Sequence, residues 1–142
     1  MHSTAAATVT AVVFVWLGMV LAISFIEAPV KFRAPGVTIP IGLGIGRLVF
    51  RALNLVEVVF ALVVVVSAFA GHATTGPATL TACVAALLAV QLAAVRPALD
   101  RRSDRVLAGE DLPRSHQHLV YIALEVAKVG LLIALGVSVL PR

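Results

Sequence analysis

The chain has 142 residues, of which 61% are hydrophobic and only 13% charged, and its mean hydropathy is +1.06. Soluble domains carry about a quarter charged residues, so this composition excludes a soluble globular fold, a disordered chain and, with Cys83 as the single cysteine, a disulfide scaffold. A net charge of +4 and a pI of about 10.2 invite a nucleic-acid reading, but the basic residues fall where loops between membrane helices fall, and no nucleic-acid partner is expected.

No Asp, Glu, Lys or Arg occurs between Met1 and Ile26, a stretch long enough to cross a bilayer. A secretory signal would open on Lys or Arg and close on a small-residue cleavage site. Here the ends read Met1-His2-Ser3-Thr4 and Ile26-Glu27-Ala28-Pro29, so an uncleaved first helix is expected over about 5–27. A loop over 28–45 follows, punctuated by Pro35-Gly36, Pro40 and Gly42-Leu43-Gly44, which disfavour continuous helix. The glycine run lacks the strand and the spacing of a dinucleotide loop and is read as a tight turn into a second helix at 46–70. The next uncharged stretch, Val58 to Val95, is too long for one span, and Gly71-His72-Ala73-Thr74-Thr75-Gly76-Pro77 divides it, leaving a third helix over 78–95. The polar segment 96–115 holds a short surface helix between Pro97 and Gly109. Ser115 is placed to cap a fourth helix over 116–140. The expected fold is a single all-α membrane domain, a four-transmembrane-helix bundle, since lone strands would leave backbone groups unpaired in lipid.

Orientation follows from the basic residues. Lys31, Arg33 and Arg47 border the first loop, and Arg96, Arg101, Arg102, Arg105 and Arg114 the third. Both loops share one side of an even-helix bundle, whereas the other side holds the termini with Arg142. The positive-inside rule puts the basic loops in the cytoplasm and both termini outside, in a bacterial-type inner membrane. Anionic lipid headgroups are the natural partners of those loops.

The polar residues inside the spans are expected in the cytoplasmic half. At about 1.5 Å per residue, Arg51 lies about 7 Å deep, Asn54 about 12 Å and Glu57 about 16 Å on the second helix. On the fourth, His118, Tyr121, Glu125 and Lys128 lie about 3, 7, 13 and 18 Å deep, and their spacing keeps them on one stripe. Arg47, Arg51 and Asn54 form a stripe with Glu57 at its edge, and Ser24 and Glu27 are neighbours on the first helix. Charges facing lipid are costly, so these stripes should turn inward and meet. Two layers result: a shallow one of Glu27, Arg51, Gln91, His118 and Tyr121, and a deep one of Asn54, Glu57, Glu125 and Lys128. With two carboxylates for one ammonium, the deep layer suits proton exchange; the competing reading is an ion-pair network that only fixes packing.

Other signals are weaker. His116 and His118 point about 200° apart on a helix and His118 lies about 10 Å from Glu125, so no metal site and no cofactor are expected. Trp16 sits mid-span, packed or facing lipid, and Cys83 reads as a small packing residue. A shift of 68 positions aligns Pro29 with Pro97, Arg33 with Arg101 and Glu57-Val58 with Glu125-Val126, as a duplicated helical hairpin would. The functional expectation is a cytosol-facing ionisable pocket that binds a small polar or anionic ligand and moves it with protons, in a homo-oligomer or with a membrane-protein partner. The alternatives are a membrane-embedded acid–base enzyme acting on a lipid-soluble substrate through His118 and Tyr121, and an accessory subunit of a larger membrane complex.

Overall fold

The computed structural model describes residues 1–110 and 116–141; Arg114, the proposed cap Ser115 and Arg142 lie outside them. Four helices are long and apolar enough to cross a membrane: Ser3–Arg33, Ile39–Ala70, Thr75–Leu107 and His118–Ser138, called here the first to fourth spans. The fourth belongs to a helix that begins at His116. Each span packs against its neighbours in sequence and the fourth closes onto the first, so the bundle is a four-cornered ring. Leu48, Leu55, Leu62, Val66 and Phe69 lie exposed along the second span, the apolar coat a bilayer would cover.

Two spans run further than the sequence suggests, and proline explains how. The first helix continues beyond residue 27, through Pro29 to Arg33, and the third continues through Pro97 into the helix Arg96–Leu107. A proline ring clashes with the carbonyl four residues earlier, here Phe25 and Ala93. In both spans that carbonyl lies in a wider π-helical turn, Leu21–Glu27 and Gln91–Val95, which makes room for the ring without ending the helix. The surface helix expected between Pro97 and Gly109 is therefore helical as read but joined to the third span. It ends where Gly109 takes φ +93°, a conformation that suits glycine.

The second span begins at Ile39 rather than 46, which corrects the expected loop over 28–45. Thr38 caps it, accepting from the Ile41 amide, and Pro40 occupies the first turn, where its missing N–H is not needed. The glycines are inside the helix. A Cβ on Gly42 would overlap the Phe32 ring, and one on Gly46 would press on the Lys31 ammonium. The turn is instead over 34–38, with Gly36 at φ +82°.

Along the bundle axis the interior is layered. One end holds an apolar core of Val9, Val13, Trp16, Val20, Val64, Val84, Leu88, Leu132, Leu135 and Val139. At the other end Phe50, Leu53 and Tyr121 form a smaller cluster. Between them Glu57, Gln91, Glu125 and Lys128 are buried. The 68-position shift carries buried residues onto buried residues: Val9, Val13, Trp16 and Val20 onto Pro77, Thr81, Val84 and Leu88, and Leu53, Glu57, Val64 and Ala68 onto Tyr121, Glu125, Leu132 and Gly136.

Candidate functional site

The second and fourth spans each bring one glutamate to the middle of the bundle. Glu57 and Glu125 are 0% and 1% exposed, and Lys128, also 1% exposed, lies between them. The Lys128 ammonium donates to Glu57 Oε2 at 2.5 Å and stands 2.7 Å from Glu125 Oε1. Trp16 Nε1 donates to the same Glu57 oxygen at 2.8 Å. Ser24 Oγ donates to Glu125 Oε2 at 2.6 Å and Gln91 Nε2 to Glu125 Oε1 at 2.8 Å. All four spans thus contribute to one polar cluster. Unscreened buried ions are costly and persist when paired and hydrogen-bonded, and each carboxylate here has a cation and at least one neutral donor.

Above this cluster, at the end carrying the basic residues, lies a cavity of about 500 Å³. Phe25, Phe32, Leu43, Leu99 and Ile122 give it apolar walls; Ser24, Arg47, Arg96, His118, Tyr121 and Glu125 supply polar edges. Its size and its few convergent polar groups match those of small-molecule sites. Of the buried ion cluster, Glu125 lines the cavity whereas Glu57 and Lys128 do not, so Glu125 connects the cavity floor to the charges behind it.

The rim is organised by cations on aromatic rings. The Arg96 guanidinium lies 4.7 Å from the Phe50 ring centre and 4.6 Å from that of Tyr121. Those two rings meet edge to face at 5.7 Å. The Lys31 ammonium is 5.9 Å from the Phe50 ring, and such contacts stabilise a cation partly removed from water. Arg47 holds the surface helix in place through Asp104 at 2.6 Å and the Asp100 carbonyl at 3.0 Å.

The sequence-derived candidates fall into three groups. Glu57, Glu125, Lys128 and Gln91 form the central cluster, with Gln91 reaching deeper than the shallow layer assigned to it. Tyr121 and His118 line the cavity, Tyr121 buried and His118 exposed at its mouth. Glu27 is half-buried and pairs with Lys31 at 3.7 Å, outside both the cluster and the cavity lining. Two assignments are corrected. Arg51 is exposed, and half-buried Asn54 makes no hydrogen bond to the cluster among the described residues. The inward face of the second span is Gly42, Gly46, Phe50, Leu53, Glu57, Val64 and Ala68, so Glu57 is at its centre rather than at the edge of an Arg47–Arg51–Asn54 stripe. One residue is about 100° on a helix, which turns Arg51 away from Phe50.

Trp16, Ser24 and Arg96 were not singled out as site residues by the sequence. Ser24 is one turn from Glu27, a usable hint, whereas nothing local marks a tryptophan mid-span as a carboxylate donor. Arg96 reads as one more loop cation until it is seen against the adjoining Phe50 and Tyr121 rings. Among the described residues no three His, Cys, Asp or Glu side chains come together as a metal site. No protein-family model, curated protein sequence or solved structure matches this chain.

Proposed function

We propose that this is a multi-pass inner-membrane protein that binds a small polar or anionic ligand in the cavity at its basic end, and that Glu125 and Glu57 exchange a proton as the ligand binds and moves. The observation that carries this reading is the continuity from an open cavity, through Glu125 on its floor, to a buried ammonium shared with a second carboxylate. Intramembrane ionisable groups commonly mark binding sites and proton relays. The basic residues around the cavity support a cytoplasmic position for that face and an outer position for both termini. A ligand moving onward would meet the apolar core around Trp16, so transport requires those four helices to part, with a partner copy sharing the task.

Accessibility tests the cavity directly. In a Cys83→Ser background, Ser24→Cys is expected to react with a membrane-impermeant thiol reagent supplied from the cytoplasmic side, and to lose that reaction when Ile122→Trp fills the cavity. Reaction only from the outer side, or none, would overturn the reading. For the proton step, vesicles carrying Glu57→Gln or Glu125→Gln are expected to lose ligand-linked proton movement, and unchanged proton movement in both would remove the glutamates from the mechanism.

His118 and Tyr121 on the same cavity wall also favour a second reading, acid–base chemistry on the bound molecule. It predicts that His118→Ala abolishes turnover while leaving binding intact.

A further inference from the structure

One cavity cation, Arg96, bonds Tyr121 but leaves two of its donors without a partner among the described residues. Arg96 Nε and Nη2 are buried and hydrogen-bond to none of the described residues. These two nitrogens are not an arbitrary pair: their N–H bonds are parallel and form one side of the guanidinium fork, the edge that receives a carboxylate or phosphate through two bonds at once. The group is held against the adjoining Phe50 and Tyr121 rings, so its position is restricted before any ligand arrives, which lowers the cost of binding.

The other charges at the cavity are already matched. Arg47 is bound to Asp104, with Asp100 at 3.9 Å; Glu125 is bound to Lys128, Ser24 and Gln91; Lys31 faces Glu27 at 3.7 Å. Among the described residues, Arg96 is the cavity cation without a carboxylate partner. Leaving charged donors buried without an acceptor is costly, and an incoming anion removes that cost. The remaining wall, Phe25, Leu43, Leu99 and Ile122, is apolar and suits a hydrocarbon body.

We infer that Arg96 is an anion-binding residue and that the ligand is an amphipathic anion: a compact carboxylate or phosphate head seated on the Arg96 fork, with a short apolar body against Phe25, Leu43, Leu99 and Ile122. This rests on the cavity being a ligand site and specifies its substrate class. Two sources share this chemistry, a free organic anion from the cytosol and the headgroup of an anionic lipid.

The test is equilibrium binding of radiolabelled decanoate to the full chain in nanodiscs of zwitterionic lipid, with decanol as the uncharged match. Saturable decanoate binding is expected, at least tenfold tighter than decanol. Arg96→Gln should weaken decanoate about tenfold or more and leave decanol unchanged. Arg96→Lys, which keeps the charge but not the fork, should fall between. Ile122→Trp should remove both ligands, and unfolding midpoints of the Arg96 variants show that the fold is retained. Phosphatidylglycerol in the disc that competes with decanoate identifies the lipid headgroup as the source, and insensitivity to it identifies a free anion; either supports the site. Equal binding of decanol and decanoate, both lost with Ile122→Trp but indifferent to Arg96→Gln, would overturn the anion assignment while leaving the cavity reading intact. Binding of neither ligand to the native chain would overturn both.

Discussion

At the scale of single residues, the ion cluster is asymmetric in a way that yields measurable differences. Lys128 serves two carboxylates, so its loss leaves both buried without a cation. Lys128→Met is expected to destabilise the chain by about 3–5 kcal/mol, the range for breaking a buried ion pair by removing one partner. Adding Glu57→Gln and Glu125→Gln to it should recover much of that loss, because neutral amides no longer repel and can share hydrogen bonds. Trp16→Phe keeps the ring that packs near Phe60 but removes one donor to Glu57. It should cost about 1.5–3 kcal/mol, the range for a hydrogen bond to a charged group. Unfolding titrations in detergent micelles read all of these, and a Lys128→Met chain as stable as the parent would mean that the cluster contributes nothing to folding. The glutamates and the lysine were legible in the sequence because charged residues in apolar helices are conspicuous. Trp16 was not, because its role depends on a partner 41 positions away and tryptophan is at home in any apolar helix.

At the scale of elements, the spans were legible from uncharged stretches, but their ends were not, because proline and glycine were read by their local habits. Pro40 stands in a first turn, Pro29 and Pro97 follow wide turns, and the glycines at 42 and 46 are contact surfaces inside a helix. Periodicity resolves the last point afterwards: Gly42, Gly46, Phe50 and Leu53 fall on one face, which a turn would not require. The same run provides its own control. A Cβ on Gly44 meets open space, whereas one on Gly42 meets the Phe32 ring. Gly44→Ala should therefore stabilise the helix by about 0.5–1 kcal/mol. Gly42→Ala must displace Phe32, a cavity wall residue, and should cost about 1–3 kcal/mol, as overpacking does. Thermal midpoints of the two variants should move in opposite directions. A shift of the same sign in both would show that the second span does not pack on Phe32 as described.

At the scale of the molecule, the two hairpins repeat a plan and then depart from it. Eight buried positions of the first hairpin, Val9, Val13, Trp16, Val20, Leu53, Glu57, Val64 and Ala68, coincide with buried positions of the second under the 68-position shift, each hairpin places a π-helical turn before a proline, and each carries a central glutamate. The departures supply the chemistry. The position of Lys128 is occupied by Phe60 in the first hairpin, and that of Gln91 by Ile23. One cation therefore serves two related carboxylates, and the first hairpin supplies no cation of its own to the cluster. Within the first hairpin Glu57 keeps Trp16 but lacks its ammonium; within the second, Glu125 keeps Lys128 and Gln91 but lacks Ser24. Pairing across the hairpins is thus written into the polar cluster, in addition to the apolar core that Val9, Val13 and Leu135 share, which any membrane packing would use. This predicts the behaviour of a divided chain. Residues 1–72 and 73–142, produced as two polypeptides in the same membrane, should assemble, so that a tag on one recovers the other in near-equal amount. Lys128→Met in the second piece should reduce that recovery severalfold, because the first piece then buries Glu57 against no cation, while Gly44→Ala in the first piece should leave it unchanged. Recovery indifferent to Lys128 would mean that apolar packing alone joins the halves. In that event the buried charges serve the cavity and not the fold, and their retention in so small a bundle would have to be explained by binding.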